Sequence, residues 1–354
     1  MGDKLFPTTV IGSLPRTAWI RDLILDRKSG QIDEAAADRE LDRAIDSLLM
    51  LQERAGLDEI TDGEWRRESY VKIFAERVRG FENDLNPSGG LPYPAVVAPL
   101  EYYRPIAVDE IRFSRPRTER RLKATLPSPY IIGRRMWHPE HSAAAYPKRE
   151  QLMTACVPIL RQEIEALREA GADTVQLDEP WLSTLVDPKF REKDGVTDVQ
   201  YEMDLCVDLL NQTLDGITGV DTGVHLCHAH FDRQHGSEGP YDVIMPALNQ
   251  IRVQTISMEY ATPVAGGFES LAQFPDNVRL GLGCIDHCDR NVETAETVVS
   301  RVERAIQFID KERITLHPDC GFAPSVQNPM DLDEAYLKLK AMCQAAEMLR
   351  EKYA

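Results

Sequence analysis

The chain has 354 residues, 43% of them apolar and 28% charged, the proportions of an ordinary globular protein with material for a large core. Its formal net charge of −17 repels polyanions and argues against nucleic acid and anionic membranes as partners. With no apolar run near the ~20 residues of a membrane span and no signal-peptide core at the N-terminus, the cytoplasm is the expected compartment. Seven cysteines, odd in number and widely spaced, do not suggest a disulfide framework, so each is read as core, ligand or nucleophile.

In chain order, residues 6–13 (F-P-T-T-V-I-G-S) predict a first strand. A helix is expected over 33–55, where Leu41, Ile45, Leu48 and Leu49 fall near helical spacing and Gly56 supplies the stop. A second strand at 57–61 runs into D-G-E-W-R-R at 62–67, followed by a helical stretch over 69–79. Residues 82–121 are proline-rich, carry Gly89-Gly90 and change charge sign often, which predicts an insertion of loop and short strands. The arginines near its end (112, 115, 117, 120 and 121) read as a solvated face in preference to a site for an anionic ligand tail.

From there the alternation is regular. Strands are predicted at 122–126, 174–178, 223–227, 254–259, 279–284 and 314–317, and helices at 149–170, 198–214, 241–251, 294–311 and 332–351. Eight strand–helix units without a break in composition predict an α/β chain forming a single (β/α)8 TIM barrel, one domain over 1–354. A doubly wound sheet is the alternative, but the sequence has no Gly-rich dinucleotide or P-loop pattern to support it.

In such a barrel the C-terminal ends of the strands carry the active site. The residues placed there are Ser13, Asp62, Glu64, Asp178, Glu179, His225, Cys227, Glu259, Asp286, His287 and Cys320. The densest stretch is G-V-H-L-C-H-A-H-F at 223–231, where strand alternation would send His225 and Cys227 to the same side. An imidazole beside a thiolate suits zinc. His225, Cys227, Glu259 and Cys320 would close a tetrahedron, with Cys284 and Cys288 as rival thiols on spacing alone.

Seven short motifs occur in order: T-T-V-I-G-S at 8–13, D-G-E-W-R-R at 62–67, Q-L-D-E-P at 176–180, H-L-C at 225–227, I-S-M-E at 256–259, I-D-H at 285–287 and H-P-D-C-G at 317–321. As a set, the chain resembles, nearly end to end, the catalytic barrel of the cobalamin-independent methionine synthase family, within the zinc-dependent thiol alkyltransferases. The resemblance implies Zn2+ held by His225, Cys227, Glu259 and Cys320, which favours Cys320 over Cys284 and Cys288. It implies that Ser13, Glu64 and Asp178 hold the amino acid part of homocysteine. His287, beside Asp286, would act in proton transfer near the methyl donor. His228 and His230 fall outside the implied ligand set and read as supporting or surface groups.

The function implied is a methyltransferase that converts homocysteine to methionine with a zinc-bound thiolate as nucleophile. The expected partners are homocysteine or a related thiol and a methyl donor, either methyl-folate or a methylcorrinoid, free or on a carrier protein. As the only oxygen donor, Glu259 is the ligand expected to yield when the thiol enters. Two departures stand out: there is no second, N-terminal barrel, and the folate-side motif is reduced to Y-Y-R-P-I at 102–106. The alternatives are alkyl transfer to another thiol, as in epoxyalkane:coenzyme M transferases, and a non-catalytic zinc or amino acid binding protein. Simpler roles compete at single residues: Glu64 in an ion pair with Arg66 or Arg67, and Asp178 as a helix N-cap.

Overall fold

Seven parallel strands form the central sheet of the computed structural model, which describes residues 4–88, 91–323 and 329–354. The strands of the chain are β1 (Glu59–Ile60), β2 (Val78–Ser88), β3 (Leu91–Tyr102), β4 (Arg121–Pro127), β5 (Thr174–Asp178) and β6 (Asp221–His225). They continue with β7 (His230–Phe231), β8 (Gln234–His235), β9 (Thr255–Glu259), β10 (Arg279–Ile285) and β11 (Ile314–Pro318). The sheet order is β1-β4-β5-β6-β9-β10-β11, while β2 with β3 and β7 with β8 form separate antiparallel hairpins. The sheet strands are buried on both sides, and their apolar residues alternate with buried polar ones such as Lys123, Thr125, Gln176, Ser257 and Thr315.

The longer helices follow their sequence signals. Glu34–Ala55 starts at Asp33, whose carboxylate accepts from the Ala36 amide, and ends at Gly56 with φ 101°. Arg149–Ala170 ends at Gly171, Val199–Leu214 starts at Asp198, and Leu332–Tyr353 closes the chain. The helix expected over 241–251 is instead a 3-10 turn, Tyr241–Val243, and a single turn, Met245–Leu248. Pro246 sits in the first turn of the latter, where its missing N–H is harmless, and blocks a continuous helix across both. Ala18–Ser29, Pro129–Met136 and the short helices Pro139–Ser142, Pro180–Thr184 and Pro188–Lys193 lie outside the expected helices.

The closed eight-stranded barrel is not what the chain forms. The sheet is an open half-barrel whose edges stand 10 Å apart, about twice the ~4.8 Å between paired strands. The segment expected as the first strand, 6–13, makes one isolated bridge, Thr8 to Leu316. Its amides and carbonyls reach both edges, with Thr9 N donating to Leu316 O and the Asp58 and Glu59 amides donating to Thr8 O. Beyond that, side chains intercept its carbonyls: Lys123 Nζ takes Val10 O at 2.8 Å, Gln176 Nε2 takes Ile11 O at 3.0 Å, and Thr61 Oγ1 takes Gly12 O at 2.7 Å. Side chains rather than a neighbouring strand's amides take these carbonyls, so the segment forms no continuous ladder and hydropathy alone overstates the strand.

The insertion also differs from its expectation. In place of short strands, β2 and β3 form one long hairpin, followed by the helix Val108–Ser114; Gly89-Gly90 lie outside the described residues. The arginines after it serve the framework. Arg115 pairs with Asp173 at 2.9 Å, Arg117 with Asp46 at 2.7 Å and Arg121 with Asp221 at 2.8 Å. Asp173 and Asp221 lie at the N-terminal ends of β5 and β6, so this cluster is remote from the strand ends that carry the candidate site.

Candidate metal centre

The donors converge where β6, β9 and β11 end. Ligand atoms of Cys227, His230, Glu259 and Cys320 all lie within 4.8 Å of one another. Glu259 is the last residue of β9 and Cys320 follows β11 by two residues. β6 ends at His225, earlier than expected, so Cys227 belongs to the irregular stretch behind it and His230 opens β7, although Leu226 N still donates to Ser257 O. Two thiols, an imidazole and a carboxylate form a donor set that fits zinc.

His225 adjoins this group. Its Nδ1 lies 3.1 Å from Asp178 Oδ1, and its buried Nε2 has no hydrogen-bond partner among the described residues. A ring fixed at one nitrogen by a carboxylate and bare at the other is the arrangement of a metal-ligating histidine. Burial alone would lower the pKa of this imidazole, but the hydrogen bond to Asp178 and the charge of Cys227 outweigh it and raise it.

Glu259 is fully buried. Its Oε2 lies 2.9 Å from His228 Nδ1 and its Oε1 3.3 Å from His230 Nε2. His228 Nε2 in turn faces Gly239 O at 3.2 Å. Burial pushes the Glu259 carboxyl well up and the His228 imidazole down to about 4. Because a carbonyl oxygen only accepts, His228 Nε2–H is the donor to Gly239 O. The Cys320 thiol is held well above its ordinary range by its hydrogen bond with Cys227 and then by burial. A cation among these groups reverses that preference, because its charge favours thiolate and carboxylate. His228 and His230 are thus buried and engaged with Glu259, and a surface role does not apply to either.

Beside the donors lies an acidic pair. Glu64 is buried, and its Oε1 accepts from Thr125 Oγ1 at 2.7 Å. Gly12 leaves room for it: a Cβ there would stand 2.5 Å from Glu64 Oε1. Burial raises the Glu64 carboxyl, Arg67 pulls it back and Asp178 pushes it up again. Arg67 remains 3.7 Å from Glu64, because its guanidinium is forked onto Glu110 at 2.8 and 2.6 Å. Arg66 pairs with Asp42. The competing ion-pair role for Glu64 is therefore present in part, as the 3.7 Å contact with Arg67, whose closer partner is Glu110. Asp178 is not the helix cap: Glu179 caps Pro180–Thr184, accepting from the Trp181 and Leu182 amides, while Asp178 accepts from Gln176 Nε2 and faces His225. Ser13 lies against Gly321, where a Cβ would meet its Oγ at 2.4 Å, and its carbonyl accepts from Phe322 N.

His287 is fully buried, with Nε2 3.6 Å from Cys288 Sγ and its ring edge-to-face with His230 at 4.0 Å. Burial, then the charges of His235 and Arg233, lower its pKa to about 3, so the ring is neutral near neutral pH. The Asp286 carboxylate accepts from the Cys288 and Asp289 amides and shapes the turn that carries His287. Sequence reasoning did not find the convergence of His230 and His235 with Cys288, nor buried Asp319, whose Oδ1 takes the Tyr260 and Ala261 amides. The repeated histidines after Cys227 were the one signal available.

The model of the family described as cobalamin-independent synthase, catalytic domain, matches residues 6–348. The methionine synthase of Saccharolobus solfataricus is 30% identical over 353 residues, 98% of this chain and 96% of that protein. Among solved structures, the B12-independent methionine synthase of Shewanella sp. W3-18-1, in complex with selenomethionine, superposes with a TM-score of 0.80 at 24% identity, covering 98% of both chains. A methyltransferase from Methanosarcina mazei superposes with a TM-score of 0.55 at 16% identity, over 100% of this chain and 96% of that one. The two structural matches bear on the fold alone.

Proposed function

Because the chain belongs to the cobalamin-independent methionine synthase family, whose members are methyltransferases, we propose that it transfers a methyl group to the thiol of homocysteine and forms methionine, with 1–354 as one catalytic unit. The observation that carries this reading is a single contact: Asp178 faces His225 at 3.1 Å and thereby links the acidic pair to the imidazole that adjoins the soft-donor cluster. A thiol and an ammonium, the two ends of a thiol amino acid, want these two groups side by side.

We assign the cation to zinc and its donors to His225, Cys227, Glu259 and Cys320. Zinc bound there would keep the substrate sulfur as a thiolate at neutral pH, where a free thiol of pKa ~8.5 is mostly protonated. Glu64 and Asp178 take the substrate ammonium, and Ser13 offers its hydroxyl to the carboxylate. A sulfonate thiol would meet two carboxylates here, which disfavours the coenzyme M alternative. Glu259 is the donor assigned to yield, since His228 already holds its other oxygen at 2.9 Å.

In the transfer, the sulfur–carbon bond forms as the bond from the methyl carbon to the donor breaks, and the electron pair leaves with the donor. Where the donor atom is nitrogen it needs a proton. His287 is assigned to relay it: a ring kept neutral passes a proton from one nitrogen while receiving one at the other. Asp286 supports this by fixing the turn. The segment 102–106 is held in the framework, with Tyr102 Oη donating to Glu163 at 2.7 Å and the Ile106 amide donating to the same carboxylate. That favours a donor which does not depend on this segment, a methylcorrinoid over methyl-folate.

The test is one assay of zinc-loaded protein with homocysteine, offering methyl-folate and methylcobalamin separately. Methionine is expected from at least one donor, and methionine from neither would overturn the proposal.

A further inference from the structure

Imidazoles and thiols around the first centre outnumber the donors that one ion can use. Ligand atoms of His230, His235 and Cys288 lie within 4.8 Å of one another, and His230, which also reaches the first cluster, is free for this second group when His225 supplies the imidazole of the first. We propose that these three residues form a second cation site, for zinc or another borderline divalent ion, beside the first.

The geometry is built, and built at a cost. His230 and His235 are directly opposed in the hairpin of β7 and β8, with His230 Nε2 2.8 Å from His235 Nδ1. Facing residues of a two-stranded pair share one side, so the hairpin aims both rings the same way. Its turn, Asp232-Arg233, has φ 52° and 60°, the left-handed pair of a type I′ turn made without glycine. Ala229, just before the hairpin, has φ 52° as well. Three non-glycine residues in the left-handed region within five positions are a concentrated strain that persists only where the surroundings impose it.

Arg233 supplies the imposition. Its guanidinium reaches Glu334 through Nη1 at 3.0 Å and Nη2 at 2.5 Å, and it donates to the carbonyls of Cys288 and Asp289 at 3.2 and 2.9 Å. The strained turn is thereby tied to the loop that presents the Cys288 thiol. A second, independent observation points to a ligand: His230 Nδ1 and His287 Nδ1, on side chains that are almost wholly enclosed, have no hydrogen-bond partner among the described residues. Glu259 stands between the two centres, with Oε1 3.3 Å from His230 Nε2 and Oε2 3.9 Å from His235 Nδ1, within reach of a cation on either side. Two imidazoles and one thiolate leave a fourth position open. The site would therefore take a divalent cation together with a water or a small anionic ligand.

The experiment counts metal in the purified full chain after saturation with zinc and desalting. The wild type is expected to retain two equivalents per chain. His235→Ala and Cys288→Ser should each retain one, with far-UV circular dichroism confirming the fold. In the cobalt-loaded protein, Cys288→Ser should lose part of the thiolate-to-cobalt absorption that the wild type shows. One equivalent in the wild type would overturn the proposal, as would two equivalents retained in both variants. The readout is a metal count, so failure to make methionine would leave it intact, and the two proposals fail separately.

Discussion

Asp178 and His225 are paired across adjacent parallel strands, and the carboxylate oxygen of one lies 3.1 Å from Nδ1 of the other. One side chain thus serves two neighbours: it orients the imidazole offered to the metal and contributes charge to the acidic pair with Glu64. Asp178→Asn and Glu64→Gln should therefore differ. Each removes a charge-assisted contact of ~1.5–3 kcal/mol and should raise KM for homocysteine by about 10–100-fold. Only Asp178→Asn should also weaken zinc binding, by about 10–100-fold, because it disturbs the partner of a ligand. Zinc titration of both variants against a competing chelator checks the difference.

Cysteine variants separate the rival thiols. Cys320→Ala should lose one equivalent of zinc and all methyl transfer. Cys284→Ala should retain the metal, because its buried Sγ lies against His317 O at 3.5 Å and serves packing. The reverse result in metal analysis would mean that the ligands are wrongly assigned.

Arg67 and Glu110 form a buried, two-pronged ion pair, and Arg67 Nη1 also donates to Thr125 Oγ1, the group that holds Glu64. Removing either partner leaves a buried charge alone, a loss of about 3–5 kcal/mol. Arg67→Met and Glu110→Leu should each lower the urea midpoint sharply, and the double variant by much less than their sum. Additive losses in a double-mutant cycle would show that the pair is not coupled.

Asp62 gives a pH dependence of known sign. Burial, then the negative charge of Glu110, raises its pKa from 3.8 to about 7. The folded chain therefore keeps a proton that the unfolded chain gives up between those values. The associated stability is complete below pH ~4 and is lost as pH rises towards 7, at most about 4 kcal/mol. Asp62→Asn removes that loss: its Tm should match the wild type near pH 4 and exceed it at pH 8. An equal difference at both pH values would contradict the assignment.

Seven of the eight expected strands were legible because in each apolar residues recur over a short stretch bounded by turn residues. Residues 6–13 carry the same signal but do not form a strand, since what decides their pairing is three side chains, Lys123, Gln176 and Thr61, up to 165 positions away. The substrate and metal candidates were readable as polar residues at strand ends. His230 and His235 were not, because the hairpin that opposes them turns on two residues, Asp232 and Arg233, whose left-handed backbone no glycine announces. Chemistry placed by regular strands is visible in a sequence. Chemistry placed by a tied-down loop is visible only once the tie, here Arg233 to Glu334, is seen.

The gap in the sheet has its own consequence. Ser13 and Glu64 sit on the side of the filling segment and β1, while Cys320 follows β11 on the other side. A few backbone bonds cross between them, from Thr9 to Leu316, from Leu316 to Pro7 and from Phe322 to Ser13, whereas β10 and β11 share a ladder of five residue pairs. The junction between β11 and segment 6–13 is thus more thinly bonded than the one between β10 and β11, it lies beside the candidate site, and local opening there is expected under stress. Mild urea should silence the enzyme and release its metal while the far-UV signal is still native, so that for this protein inactivation is a local event that precedes denaturation.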